Sequence, residues 1–89
     1  MRQEELQKLT EQISRDYFHR PFLHMVKINH RMRTTGGRYH LDDHHIEINA
    51  HFLEAKNQKY LVGIIKHELC HYHLHLMGLG YQHKDRDFK

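Results

Sequence analysis

The segment from Lys59 to Met77 constrains the fold more than any other stretch of the chain. Read as one helix, it carries two apolar stripes. Tyr60, Ile64, His67, His71 and Leu74 share one side, while Leu61, Ile65, Leu69, Tyr72 and Leu76 centre roughly 160° from His67. Lys59, Lys66 and His73 take the remaining polar side, and Gly78 ends the helix. A helix apolar on two faces is wedged between layers, so the rest of the chain has to supply packing on both sides. The 89 residues allow one domain, 1–89, with a modest core.

Upstream, Glu4 to Phe18 reads as a helix, because Leu6, Leu9, Ile13 and Tyr17 recur at spacings of three and four. Glu4 and Glu5 sit in its first turn, where they complement the helix dipole, and Pro21 closes it. Three strands are expected: His24 to His30, Arg38 to Leu41, and His45 to Asn49. The first two are separated by the turn signal Thr34-Thr35-Gly36-Gly37, the last two by Asp42-Asp43. Asn49 is the expected N-cap of a short helix through Ala55. Asp85 to Lys89 reads as the start of a further element. The resulting class is α+β: an N-terminal helix, a three-stranded mostly antiparallel sheet, a short helix and the long helix.

Composition narrows the context. Hydrophobic residues are 38% and charged residues 28%, an ordinary globular balance. A single cysteine, Cys70, excludes an internal disulfide framework and a four-cysteine zinc ribbon. No apolar run approaches the ~20 residues of a membrane helix, and no secretory h-region follows the start. A reducing, cytoplasmic location without membrane contact is therefore expected. The net charge of +3 permits contact with nucleic acid without requiring it.

The anomaly is the twelve histidines. His67-Glu68-Leu69-Cys70-His71 is an HExxH motif, whose two histidines lie one turn apart on one helix face and can grip a single Zn2+. Glu68, about 100° round the helix, is placed to act on a water as general base rather than to ligate. In so histidine-rich a chain, roughly 0.1 match arises by chance, so context has to decide. It does: His67 and His71 extend an apolar stripe and are expected to line an internal cleft.

A third ligand is required. His75 lies roughly 12 Å along the axis from His67, too far for the same ion. The extended HExxHxxGxxH pattern would place its last histidine on Met77, and no glutamate follows Glu68. His83, after two glycines, is the first candidate, with Asp87 the fallback and Asp85 a weaker one.

The HExxH residues, Gly80-Tyr81-Gln82-His83, Phe88, Arg33-Thr34-Thr35-Gly36-Gly37-Arg38-Tyr39 and His45-Ile46-Glu47-Ile48-Asn49 together resemble the SprT-like family of zinc metallopeptidase-type domains. The resemblance covers nearly the whole chain, is nearest to small bacterial members, and extends distantly to the eukaryotic protease Spartan. It implies a minimal zincin core with His67, His71 and His83 as zinc ligands and Glu68 as the catalytic glutamate. Many members continue into a cysteine-bearing zinc ribbon, so the chain is expected to be cut off before it. The implied activity is hydrolysis of peptide bonds in protein substrates, held beside His45 to Asn49 or its hairpin partner. Tyr81 and Tyr72 are candidates for steadying the oxyanion, although Tyr72 lies on the packing stripe. Cys70 is expected to pack rather than react.

The alternative is a non-catalytic zinc-stabilised module binding nucleic acid or a transcription-related partner through Arg31, Arg33 and Arg38. A third reading, a pH- or metal-responsive interaction protein, rests on histidine abundance alone. His40, His44, His45 and His51 show no spacing that points to a second metal site, and His73 and His75 are expected at the surface.

Overall fold

The computed structural model describes residues 1–78. Helix α1, Gln3–Ile13, starts where Glu5 accepts the Arg2 N–H at 2.8 Å. It buries Leu6, Thr10 and Ile13 and widens into a π-helical turn, Ser14–Phe18. His19, at φ 57°, closes that turn by donating its N–H to the Arg15 carbonyl. The expected helix over Glu4 to Phe18 is therefore one continuous body with a widened end.

Strands β1 (Val26–Asn29), β2 (Gly37–Tyr39) and β3 (Ile46–Asn49) form one sheet in the order β1-β3-β2. A short turn makes β3 antiparallel to β2, with Gly37 opposite Ile48 and Tyr39 opposite Ile46. β1 runs opposite to β2, so β3 lies parallel to β1, with Val26 opposite Ile46. The sheet is thus mixed rather than mostly antiparallel, because β3 inserts between two strands that never pair. The strand His45 to Asn49 is consequently central, and its hairpin partner is an outer strand. The outer edge of β1 is covered by α1: the Gln7 amide donates to the His24 carbonyl and accepts the Val26 N–H, both at 3.0 Å. Gln3 reaches the Val26 carbonyl in the same way. Side chains thus satisfy a strand edge that would otherwise invite another chain.

Asn49 caps the 3-10 turn Ala50–Leu53 as expected, accepting the His51 N–H at 3.0 Å. A second 3-10 turn, Ala55–Asn57, leads into helix α2, Gln58–Leu76. Gly78, at φ 73°, follows its end and donates to the His75 carbonyl. None of the helices among the described residues is long and apolar enough to cross a membrane.

Both helices pack on one face of the sheet. Leu61, Ile65, Leu69 and Tyr72 are buried against Leu6, Val26, Ile46 and Ile48, so one predicted stripe of α2 is the core stripe. The other stripe behaves differently. Tyr60 is 53% exposed and Ile64 is half-buried, so this side borders an open cleft rather than a second packed layer. Leu76 is also exposed, at the last position of the helix.

The Gly36-Gly37 pair does more than turn the chain. A Cβ on Gly37 would lie 3.0 Å from Glu68 Cγ and 3.1 Å from the Glu47 carbonyl oxygen. A Cβ on Gly36 would meet Ile64 Cδ1 at 2.8 Å. These glycines let β2 approach α2 closely. His73, expected at the surface, is buried at 4% exposure. The Ser14 hydroxyl donates to the Arg20 carbonyl at 2.7 Å, so it accepts from His73 Nε2–H at 2.6 Å. The polar side of α2 is thereby covered by the π-helical turn, an arrangement that no helical wheel contains.

Two predictions follow from this packing. Gly37→Ala should destabilise the fold by about 1–3 kcal/mol in urea denaturation, since backbone faces the new methyl group. Gly36→Ala should cost less, because Ile64 can swing its flexible end aside. Burial, reinforced by the Arg20 charge, lowers His73 from 6.5 to about 4. The unfolded chain therefore takes up that proton first. This contribution to stability is complete above pH 6.5 and is lost as pH falls from 6.5 toward 4. His73→Phe should flatten this part of the stability–pH curve; an unchanged acid slope in urea midpoints would refute the assignment.

Candidate metal centre

His67 and His71 project from successive turns of α2 with their Nε2 atoms 3.4 Å apart and their rings 5.0 Å apart. That separation is long for a hydrogen bond. It matches the edge of a tetrahedron whose ligands lie 2.0–2.1 Å from a zinc ion, which is about 3.3–3.4 Å. The donor pair therefore fits zinc without rearrangement of the helix. His67 is exposed on the rim of an open cleft, and His71, half-buried, follows one turn later beside it.

The cleft holds about 540 Å³ and is walled by Thr35, Gly36 and Gly37 on one side and by Tyr60, Gly63, Ile64 and His67 on the other. Glu68 forms part of its floor and is only 7% exposed. Burial pushes its carboxyl up to about 7. Asn49 steadies the opposite wall: beyond its capping role, its amide donates to the Thr35 carbonyl at 2.9 Å. The core stripe of α2 sets the helix rotation, and that rotation presents Glu68 to β2 and the two histidines to the rim.

Among the described residues, no third histidine, cysteine or carboxylate joins His67 and His71 at ligand distance. His83, Asp85, Asp87 and Tyr81 lie outside the described residues. His75 is directed elsewhere: its Nδ1 lies 2.7 Å from the Tyr39 hydroxyl, and it is half-buried rather than a surface residue. Tyr72 is fully buried, with its hydroxyl accepting the Leu23 N–H at 3.1 Å and lying 2.6 Å from His24 Nδ1. It belongs to the core and not to an oxyanion site. Cys70 is half-buried on the wall of a neighbouring hollow with Tyr17, Phe18 and Lys66.

One grouping contradicts the expectation from spacing. His40, His45 and Glu47 bring three potential ligand atoms within 4.8 Å of one another, a set able to hold a metal ion. His45 and Glu47 share a strand face at i and i+2, but His40 joins them only through the β2–β3 register, which the sequence does not print. Arg31, Arg33 and Arg38 are all exposed, and Arg38 alternates with Gly37 and Tyr39 onto the sheet face opposite the helices.

Comparison with known proteins finds close relatives of this chain. The chain is 58% identical over 89 residues to Protein SprT-like of Bacillus subtilis (strain 168), covering 100% of this chain and 59% of that relative. Identity is 56% to the Protein SprT-like of Bacillus cereus (strain G9842) and 54% to that of Bacillus anthracis (strain A0248), with the same coverage. The chain thus spans about three-fifths of the length of the curated relatives it matches. No solved structure matches it. Residues 6–89 match the SprT-like family, and the chain belongs to that family.

Proposed function

We propose that this chain is the zinc-binding core of a cytoplasmic metallopeptidase that hydrolyses peptide bonds in protein substrates. The observation that supports it most is the placement of Glu68 and His67 on one cleft, with the His71 nitrogen 3.4 Å from that of His67. His67 and His71 would hold the ion together with His83, for which Asp87 is the substitute. When bound, zinc acidifies a coordinated water toward a pKa of about 7 and polarises a carbonyl. Glu68 is the proton carrier in this reading. Its carboxylate takes a proton from the attacking water and returns it to the departing amine.

The substrate would lie extended along β2, the outer strand whose Gly36-Gly37 end walls the cleft. Tyr60 and Phe52 offer apolar contact for substrate side chains. Likeness to Spartan suggests DNA-associated proteins as substrates, and the exposed Arg31 and Arg33 are available to phosphates.

Glu68→Gln is expected to keep zinc while lowering proteolysis by about 100-fold or more, read by metal analysis and cleavage of an unfolded protein. Activity retained in that variant sinks the mechanism. Zinc content should fall in His67→Ala, His71→Ala and His83→Ala; zinc retained only in the last transfers the third position to Asp87 or another residue.

A further inference from the structure

We infer that His40, His45 and Glu47 form a second zinc-class metal site on the open face of the sheet, separate from the HExxH pair. The ladder builds the cluster. The His40 N–H donates to the His45 carbonyl at 2.9 Å, which sets the two residues side by side across strands. Their rings stack with centroids 4.0 Å apart and planes within 10°, so one ring has to turn before both lone pairs can meet a single ion. Glu47 follows His45 by two residues and rises from the same face. His40 Nε2–H donates to Glu47 Oε1 at 2.9 Å, a proton that an ion would have to displace, and Glu47 Oε2 lies 3.7 Å from His45 Nε2.

The surroundings are those of a ligand set. His45 Nδ1 lies 2.5 Å from Asp43 Oδ1, and the His45 backbone N–H donates to the same oxygen at 3.2 Å. With Nδ1–H donated to Asp43, Nε2 presents a lone pair toward Glu47 Oε2. When the ring is neutral, Nε2 and Oε2 are both acceptors 3.7 Å apart, a spacing that leaves room for a cation between them. A carboxylate behind a histidine that ligates through its other nitrogen is the usual outer shell of a bound metal. Asn29 holds Glu47 from the far side, its amide 3.3 Å from Oε1. All three side chains are well shielded, at 27%, 14% and 20% exposure for His40, His45 and Glu47.

Two imidazoles and one carboxylate suit Zn2+, with water completing the coordination at the exposed side. The competing occupant is a proton on His45, bridging Asp43 and Glu47 without metal. Lys27 and Arg38, opposite Glu47 on the two neighbouring strands, add positive charge and oppose any cation. They lower the expected affinity below that of a buried site without removing the donor set. A bound ion would pin the end of β2 to β3 across the 41–44 turn and so stiffen the strand that walls the cleft.

The test is zinc binding to the whole chain at about pH 7.5, by calorimetric titration and by metal analysis after dialysis. Two equivalents are expected. Glu47→Gln and His45→Asn should each remove one and leave the other, while His67→Asn should remove only the other. Asp43→Asn should weaken the sheet-face equivalent about tenfold without abolishing it. Circular dichroism checks that each variant folds. A single equivalent lost with Glu47→Gln would support this site and refute zinc at the HExxH pair. A single equivalent lost with His67→Asn, or a second one that survives both Glu47→Gln and His45→Asn, would overturn the proposal and leave the cluster a proton-linked salt bridge.

Discussion

Burial of one stripe of α2 against the sheet governs the rest of the molecule. Leu61, Ile65, Leu69 and Tyr72 are each at most 1% exposed. Each such side chain contributes roughly 1.5–3 kcal/mol of transfer free energy, so turning the helix by one residue would forfeit most of that stabilisation. The rotation of α2 is therefore fixed by apolar packing. Glu68 is carried under β2 and the two imidazoles to the cleft rim as a consequence of that rotation. The chemistry of the site depends on a core that contains none of its reactive atoms.

The cleft depends on a second constraint, the absence of side chains on Gly36 and Gly37. With β2 drawn in until a Cβ on Gly37 would crowd Glu68, the carboxyl loses water, and its affinity for a proton rises. Asn49 links this wall to the turn that follows β3 through opposite ends of one amide. Fold and site thus share the same contacts, and little of the chain near the cleft is there for only one purpose.

Histidine abundance resolves into distinct physical roles. His73 is a neutral, buried donor to Ser14 that ties α2 to the end of α1. His75 and His44 both reach the Tyr39 hydroxyl, and His24 reaches that of Tyr72. These contacts join helix, sheet and loop through tyrosine hydroxyls, each able to donate one hydrogen bond and accept another. His67 and His71 bring their nitrogens to metal-ligand separation, and His40, His45 and Glu47 bring their ligand atoms within 4.8 Å of one another across the sheet.

By itself the sequence determined what local periodicity and spacing can carry. It set the α+β class, the long helix with its core stripe, the Asn49 cap, the glycine stop and the pairing of His67 with His71 beside Glu68. These follow from interactions within a few residues, where helix and strand geometry fix the neighbours. Tertiary structure alone decided the strand order, because β3 inserts between two strands that are adjacent in sequence. It also decided the burial of His73, which a helical wheel places on the polar side, since the cover comes from a turn 59 residues away. The same holds for His40 beside His45 and Glu47: their proximity is a product of strand register, a long-range property of hydrogen-bonded backbones that no spacing along one strand encodes.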